Sequence, residues 1–286
     1  MRLVVISGLS GSGKTIALHT LEDAGYYCID NLPPGLLSRS AELLAGVDFE
    51  GYDKVAVGVD IRSGVRQLAD FAALLEGMRD LGLDVQTLYL DADSGALIKR
   101  FSETRRPHPL ARGGRTLVEA IGLERDVMAT VASAADLRID TSQLTIHQLR
   151  SLVRERVADT AEGTLSLLVQ SFGYKGGIPL DSDYVFDVRC LPNPHWEPRL
   201  RSLTGRDPEV VAFLRAHPEV HEMLGAIAHF LDPWISRLLR DYRRYVGIAI
   251  GCTGGQHRSV YLAERLAEHF RPQTRLCVSV RHRELA

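Results

Sequence analysis

Residues Gly8-Leu9-Ser10-Gly11-Ser12-Gly13-Lys14-Thr15 place glycine, lysine and threonine at the G-x-x-x-x-G-K-[ST] spacing, which suits the binding of a nucleoside triphosphate. The glycines let successive backbone N–H groups turn inward as an anion nest, and a helix starting at Lys14 adds the positive end of its dipole. Lys14 is expected to reach the β- and γ-phosphates, and the Thr15 hydroxyl to ligate Mg²⁺. Lysine is scarce here, only four among 34 basic residues, which makes Lys14 look selected. Asp60 closes an apolar run where a carboxylate would complete the Mg²⁺ shell, although capping the next helix is a rival role. Asp60-Ile61-Arg62-Ser63 could also contact a nucleotide base or its phosphates. Asp30-Asn31-Leu32-Pro33-Pro34 reads equally as an acceptor loop or a plain turn. Lys99, Arg100, Arg105 and Arg106 are candidates for a lid over a transferring phosphate, or for a solvated helix face.

A second loop, Gly251-Cys252-Thr253-Gly254-Gly255-Gln256-His257-Arg258-Ser259, has the Cys-x5-Arg-Ser layout in which backbone N–H groups and a guanidinium cradle a phosphate. Thr253, Gly254 and Arg258 are the expected contacts, with Arg258 bidentate. Cys252 would be a nucleophile if its pKa were lowered. No general acid is placed by the sequence, so phosphate binding and phosphatase chemistry both stay open. Asp187, Arg189 and His195 end or follow another strand and could complete this pocket. The stretch 271–283 is a basic strip that could meet nucleic-acid phosphate, or simply a solvated edge.

The elements that must carry these loops follow from hydrophobic periodicity. Strands are expected at Leu3–Ser7, Tyr26–Asp30, Val55–Asp60, Val85–Asp91 and Leu137–Asp140. Amphipathic stretches such as Ile16–Ala24 and Val65–Leu81 lie between them, and Thr145 is expected to cap a helix through Arg156. Alternation of strand and helix predicts a parallel sheet with helices on both faces, and the strand-terminal Asp residues line its carboxyl rim. A small polar stretch near 158–164 marks the expected boundary between a domain at 1–157 and a smaller α/β domain at 165–286. The latter holds expected strands at Leu165–Ser171, Tyr184–Arg189, Val246–Gly251 and Leu276–Val280. Its expected helices lie around Val210–Leu214, Val220–Leu231, Trp234–Tyr245 and Val260–Phe270.

Composition narrows the class. With 45% hydrophobic and 24% charged residues in 286, the chain can bury a core. A net charge of -2 argues against a wholesale polyanion binder. Four cysteines without a Cys-x-x-Cys pair point away from disulfides and zinc toward a reduced cytoplasmic setting. No apolar run approaches the roughly 18 residues of a membrane span.

Six blocks, in order, resemble the RapZ/YvcJ family of P-loop nucleotide-binding proteins. They are Gly8–Thr15, Gly25–Pro33, Phe101–Leu110, Ser171–Gly177, Asp187–Trp196 and Cys252–Val260. The resemblance implies a P-loop NTPase fold with slow hydrolysis of ATP and GTP, Gly8–Thr15 serving ATP and Asp60–Ser63 serving GTP. It implies that the C-terminal domain senses glucosamine-6-phosphate through Asp187, Arg189, His195, Thr253, Gly254 and Arg258. Enteric members act as adapters that present a small RNA to an endoribonuclease, so RNA, an RNase partner and a homo-oligomer are expected here. The tail Arg281–Ala286 departs from those adapters by lacking their further basic residues. A small-molecule kinase or a Cys252-dependent phosphatase is the alternative function.

Overall fold

Short runs of β-branched and aliphatic residues, buried on both sides, become the strands of a parallel sheet. The computed structural model describes residues 1–45, 53–63, 70–111, 113–158, 164–240 and 243–285. The chain divides into two compact units, Met1–Asp159 and Thr160–Ala286.

In the first unit, β1 (Arg2–Gly8), β2 (Tyr27–Ile29), β3 (Lys54–Gly58), β4 (Asp84–Asp91) and β5 (Leu137–Asp140) form one all-parallel sheet ordered β2-β3-β1-β4-β5. Helices α1 (Lys14–Asp23), α2 (Pro34–Ala45), α3 (Phe71–Asp80), α4 (Ser94–Thr104), α5 (Leu117–Ser133) and α6 (Ile146–Val153) cover both faces. Local chemistry sets several of their starts. Asp93 accepts from the Ala96 N–H, while Thr116 with Glu119 and Thr145 with Gln148 form capping boxes. Leu3, Val5, Val55, Val57 and Val85 from the strands meet Phe71, Leu75 and Met78 of α3 in the core. The chain leaves β1 across β3 toward β2, and leaves β3 across β1 toward β4. A crevice therefore opens at the carboxyl ends of β1 and β3, where α/β sheets bind ligands.

The second unit repeats that logic. Strands β6 (Leu165–Gly173), β7 (Tyr184–Asp187), β8 (Tyr245–Cys252) and β9 (Leu276–His282) make an all-parallel sheet ordered β7-β8-β6-β9. Helices α7 (Pro208–Arg215), α8 (Pro218–Arg240) and α9 (Arg258–Phe270) accompany it, and Leu167, Val169, Val246 and Ile248 pack with Leu231, Leu262, Leu266 and Phe270. Here the connections diverge from β6 and β8, so the crevice lies between Gly173 and Cys252.

Three expectations are corrected. The stretches Val220–Leu231 and Trp234–Tyr245 are one helix that runs through Pro233 and stops at Arg240, while Tyr245 already begins β8. Pro233 deprives the His229 carbonyl of its helical donor, on a turn where His229 and Pro233 are both exposed. The expected strand to Asp60 ends at Gly58, and Ile61–Ser63 form a 3₁₀ turn. Of Val65–Leu81, residues 65–69 lie outside the described residues. So do residues 159–163, most of the expected linker.

Candidate functional site

The first loop is built by its glycines. Gly8, Gly11 and Gly13 have φ of 147°, 84° and 108°, values that a Cβ would strain. At Gly13 an added Cβ would lie 2.7 Å from Leu149 Cδ2. The loop is tied down on several sides. The Leu9 N–H donates to the Leu90 carbonyl at 3.2 Å, and the Arg100 guanidinium donates to the Gly11 carbonyl at 3.1 Å and to Thr141. Lys14, the first residue of α1, folds over the loop and donates from Nζ to the carbonyls of Gly8 at 2.8 Å and Leu9 at 3.1 Å. Burial holds its amine below the ordinary lysine range, against the attraction of Glu124, Asp60 and Asp30. Thr15 is exposed, whereas Ser12 is fully buried and its hydroxyl has no hydrogen-bond partner.

These features fit a polyphosphate. The loop presents turned backbone and one cation, and its orphaned hydroxyl matches an incoming oxygen. The fit of Mg²⁺ is partial. Thr15 supplies a hydroxyl, but Asp60 holds Arg62, with Oδ1 accepting the Arg62 N–H at 2.9 Å and Oδ2 accepting Nε at 2.8 Å. Arg62 must turn away before Asp60 can serve an ion's shell. Among the described residues no group of three His, Cys, Asp or Glu side chains is arranged to hold a metal.

Sequence reasoning missed what lies behind the loop. Glu124, fully buried on α5, accepts from the Ser10 N–H at 3.0 Å and from the Ser10 hydroxyl at 2.7 Å. His108 Nε2 lies 2.9 Å from the same carboxylate. His108 stood inside a quoted block, but Glu124 falls on an ordinary helical face with no spacing rule to flag it. Of the four basic lid candidates, Arg100 is bound to the loop itself. Lys99 faces Glu103 in a loose, exposed pair at 4.0 Å, and Arg105 and Arg106 are exposed.

In the second unit, Arg258 is the first residue of α9 and is only 4% exposed. Its Nη1 donates to the main-chain carbonyls of Arg189 at 2.7 Å and Leu191 at 3.0 Å. Nη2 makes only a 3.4 Å contact with Thr253 Oγ1, and Nε is buried without a partner. The Nε/Nη2 edge is therefore left for a bidentate anion. Thr253 and Gly254 are exposed beside it. Cys252 is buried, its Sγ accepting the Gly255 N–H at 3.2 Å and lying 3.1 Å from Ser259 Oγ.

Asp187 and Arg189 pair side by side at 2.7–3.0 Å, which holds the Asp187 carboxyl below the usual carboxylate range. Arg189 also lies over the Tyr174 ring at 4.1 Å. His195 is exposed with its ring 6.4 Å from that of His257. The sequence did not single out Glu284. Its carboxylate sits where a Cβ on Gly255 would have to be, and burial raises its pKa.

Comparison with known proteins covers both units. Residues 1–161 match the RapZ-like N-terminal domain and residues 165–286 the RapZ C-terminal domain. A nucleotide-binding protein of Thioalkalivibrio sulfidiphilus is 56% identical over 286 residues, covering 100% of both chains. One of Methylococcus capsulatus is 52% identical, covering 100% of this chain and 96% of its own. Among solved structures, a shikimate kinase of Bacteroides thetaiotaomicron covers 54% of this chain and 94% of its own at 15% identity, with a TM-score of 0.38. No helix among the described residues is long and apolar enough to cross a membrane.

Proposed function

The chain belongs to the RapZ family, and from that membership we propose that it is a regulatory nucleotide-binding protein that hydrolyses ATP and GTP slowly with Mg²⁺. The observation that carries this reading is the Lys14 ammonium, held over a glycine-built loop at the crevice between β1 and β3. An arriving β- or γ-phosphate exchanges two neutral carbonyls for a charged acceptor on that lysine. Thr15 and, once Arg62 has turned, Asp60 would hold a Mg²⁺ bound with the nucleotide, which would neutralise phosphate charge. Backbone groups of 8–15 position the phosphates, and Asp60–Ser63 is the segment offered to GTP. Among the described residues no group in this crevice is placed as a strong base, which fits slow turnover.

The C-terminal unit, in this reading, senses a phosphorylated amino sugar such as glucosamine-6-phosphate. Its phosphate meets Thr253, Gly254 and the open edge of Arg258, while Asp187, Arg189 and His195 address hydroxyls and the amine. Binding is favoured over phosphatase chemistry because the Cys252 thiol is 3% exposed and already hydrogen-bonded. RNA and an endoribonuclease are the partners to test, together with self-association. Lys14→Ala tests the core of the proposal. It should abolish most ATP and GTP hydrolysis, by about tenfold to a hundredfold for one or two lost charged contacts, with the circular dichroism spectrum unchanged. Wild-type turnover in a folded Lys14→Ala protein would refute it.

A further inference from the structure

We propose that Glu124 is a positioning residue of the nucleotide site, fixing the phosphate loop in its anion-receptive shape before nucleotide arrives; this rests on the nucleotide-binding reading above. The carboxylate and the His108 ring are both fully buried. Three donors converge on it, the N–H and hydroxyl of Ser10 and the ring N–H of His108. The tautomer of His108 follows from its other nitrogen. Nδ1 lies 3.1 Å from the Leu110 N–H and accepts from it, so Nε2 carries the proton and donates to Glu124 without the ring being charged.

The consequence for the loop is geometric. The peptide N–H of Ser10 is taken by Glu124, so an anion must be met by amides further along. One residue on, the Gly11 carbonyl is held by Arg100. The peptide units on either side of the Ser10–Gly11 bond are thus pinned by opposite charges, which fixes the orientation of the Gly11 N–H between them. His108 is held in turn, its ring 5.1 Å from that of Phe101, whose edge also lies 3.2 Å from where a Gly11 Cβ would stand. A buried carboxylate is a costly way to fill space, since an apolar side chain would pack there without desolvation. Three converging donors, two of them from one loop residue, explain its presence.

The test uses the full chain with MgATP. In Glu124→Gln every contact can be kept. The amide oxygen accepts from the Ser10 N–H and from His108, and the amide nitrogen donates to the Ser10 hydroxyl, which then acts as acceptor. Its KM for hydrolysis should stay within about threefold of wild type, whereas Glu124→Ala should raise KM roughly tenfold with kcat within about twofold, as expected for lost ground-state preorganisation. A carboxylate with only a structural role would lower the melting temperature of Glu124→Ala yet leave KM, measured below that temperature, unchanged. That outcome overturns the proposal. Should Glu124→Ala fail to fold, the amide proton of residue 10 decides. In the ligand-free wild type it should be shifted downfield and protected from exchange, and it should move upfield in Glu124→Gln. Free exchange in the wild type overturns the proposal. Wild-type protein that binds no MgATP overturns both this inference and the nucleotide reading. Binding that Lys14→Ala abolishes but Glu124→Ala does not touch overturns this inference alone.

Discussion

Arg258→Ala separates a structural role that the contacts of this side chain show from the recognition role that the proposed sensing function gives it. The first is structural. Nη1 ties the Arg189 and Leu191 carbonyls to the start of α9. Each charge-assisted bond contributes about 1.5–3 kcal/mol, and removing the buried cation also removes its desolvation cost, so the net loss is about 2–4 kcal/mol. For a unit of this size roughly 3–5 °C accompanies each kcal/mol, so the unfolding transition of the C-terminal unit should fall by about 6–20 °C. The second role is recognition. The buried Nε lacks a partner and Nη2 has only its long contact to Thr253. Losing this two-pronged edge should weaken glucosamine-6-phosphate and inorganic phosphate by about tenfold to a hundredfold. Titration calorimetry on the full chain, below the lowered transition, measures the affinity, and scanning calorimetry measures the transition. Arg258→Lys can restore a carbonyl contact but not the planar edge, so it should recover part of the melting temperature and little of the affinity. Unchanged affinity for both ligands in Arg258→Ala would refute the anion edge. An unchanged transition would refute the tie to residues 189–191.

Ser12→Ala removes a buried hydroxyl that has no partner. The ligand-free protein should melt at the same temperature or higher, while MgATP affinity drops about threefold to tenfold; unchanged affinity by calorimetry would show that the hydroxyl does not meet nucleotide. Asp60→Asn should lose the Mg²⁺-stimulated part of hydrolysis and keep metal-free nucleotide binding within about threefold, and a full Mg²⁺ response would exclude Asp60 from the ion's shell. His257 and His282 are both held below 6.5 by burial. The unfolded chain therefore binds more protons than the folded one below about pH 6.5, so stability is present above that pH and is lost as pH falls through the folded values. Melting of the C-terminal unit followed from about pH 7.5 to 5.5 should decline, less steeply in His282→Gln, and a flat profile would contradict the burial effect.

The strands were legible as short apolar runs, several ending in glycine or aspartate, and the parallel sheets followed from alternation with helices. Boundaries shifted where hydrogen bonding extended a run, as in β9, which continues past Val280 to His282. The long α8 was read as two pieces because proline usually ends a helix, yet Pro233 sits on a solvated turn. At the candidate sites, residue types singled out the two glycine loops but not what each side chain holds. Asp60 was legible as a strand-end carboxylate, whereas its engagement by Arg62 depends on the 3₁₀ turn after β3. Arg100 read as lid or solvated face, yet its guanidinium clamps the Gly11 carbonyl across 89 residues of sequence. Glu124 and Glu284 reach their loops from elsewhere in the chain, and local spacing carries no trace of such contacts.

The two units solve one problem with different cations, and the difference bears on what each loop is for. Both place a glycine loop at the carboxyl end of a central parallel strand, where connections diverge, and both begin the next helix with the basic residue, Lys14 in α1 and Arg258 in α9. Both also set a glutamate beside the loop, Glu124 hydrogen-bonded to Ser10 and Glu284 packed against Gly255. Lys14 is a point charge on a flexible stem, resting on two carbonyls that it can release when phosphate arrives. Arg258 is planar, locked to two carbonyls through one nitrogen, and offers a fixed edge through the others. A movable cation can follow a phosphate whose charge changes during transfer. A fixed fork suits a phosphate that binds and leaves unaltered. The pairing supports turnover at the first loop and sensing at the second, and it places the effect of Arg258→Lys on affinity and that of Lys14→Arg on kcat.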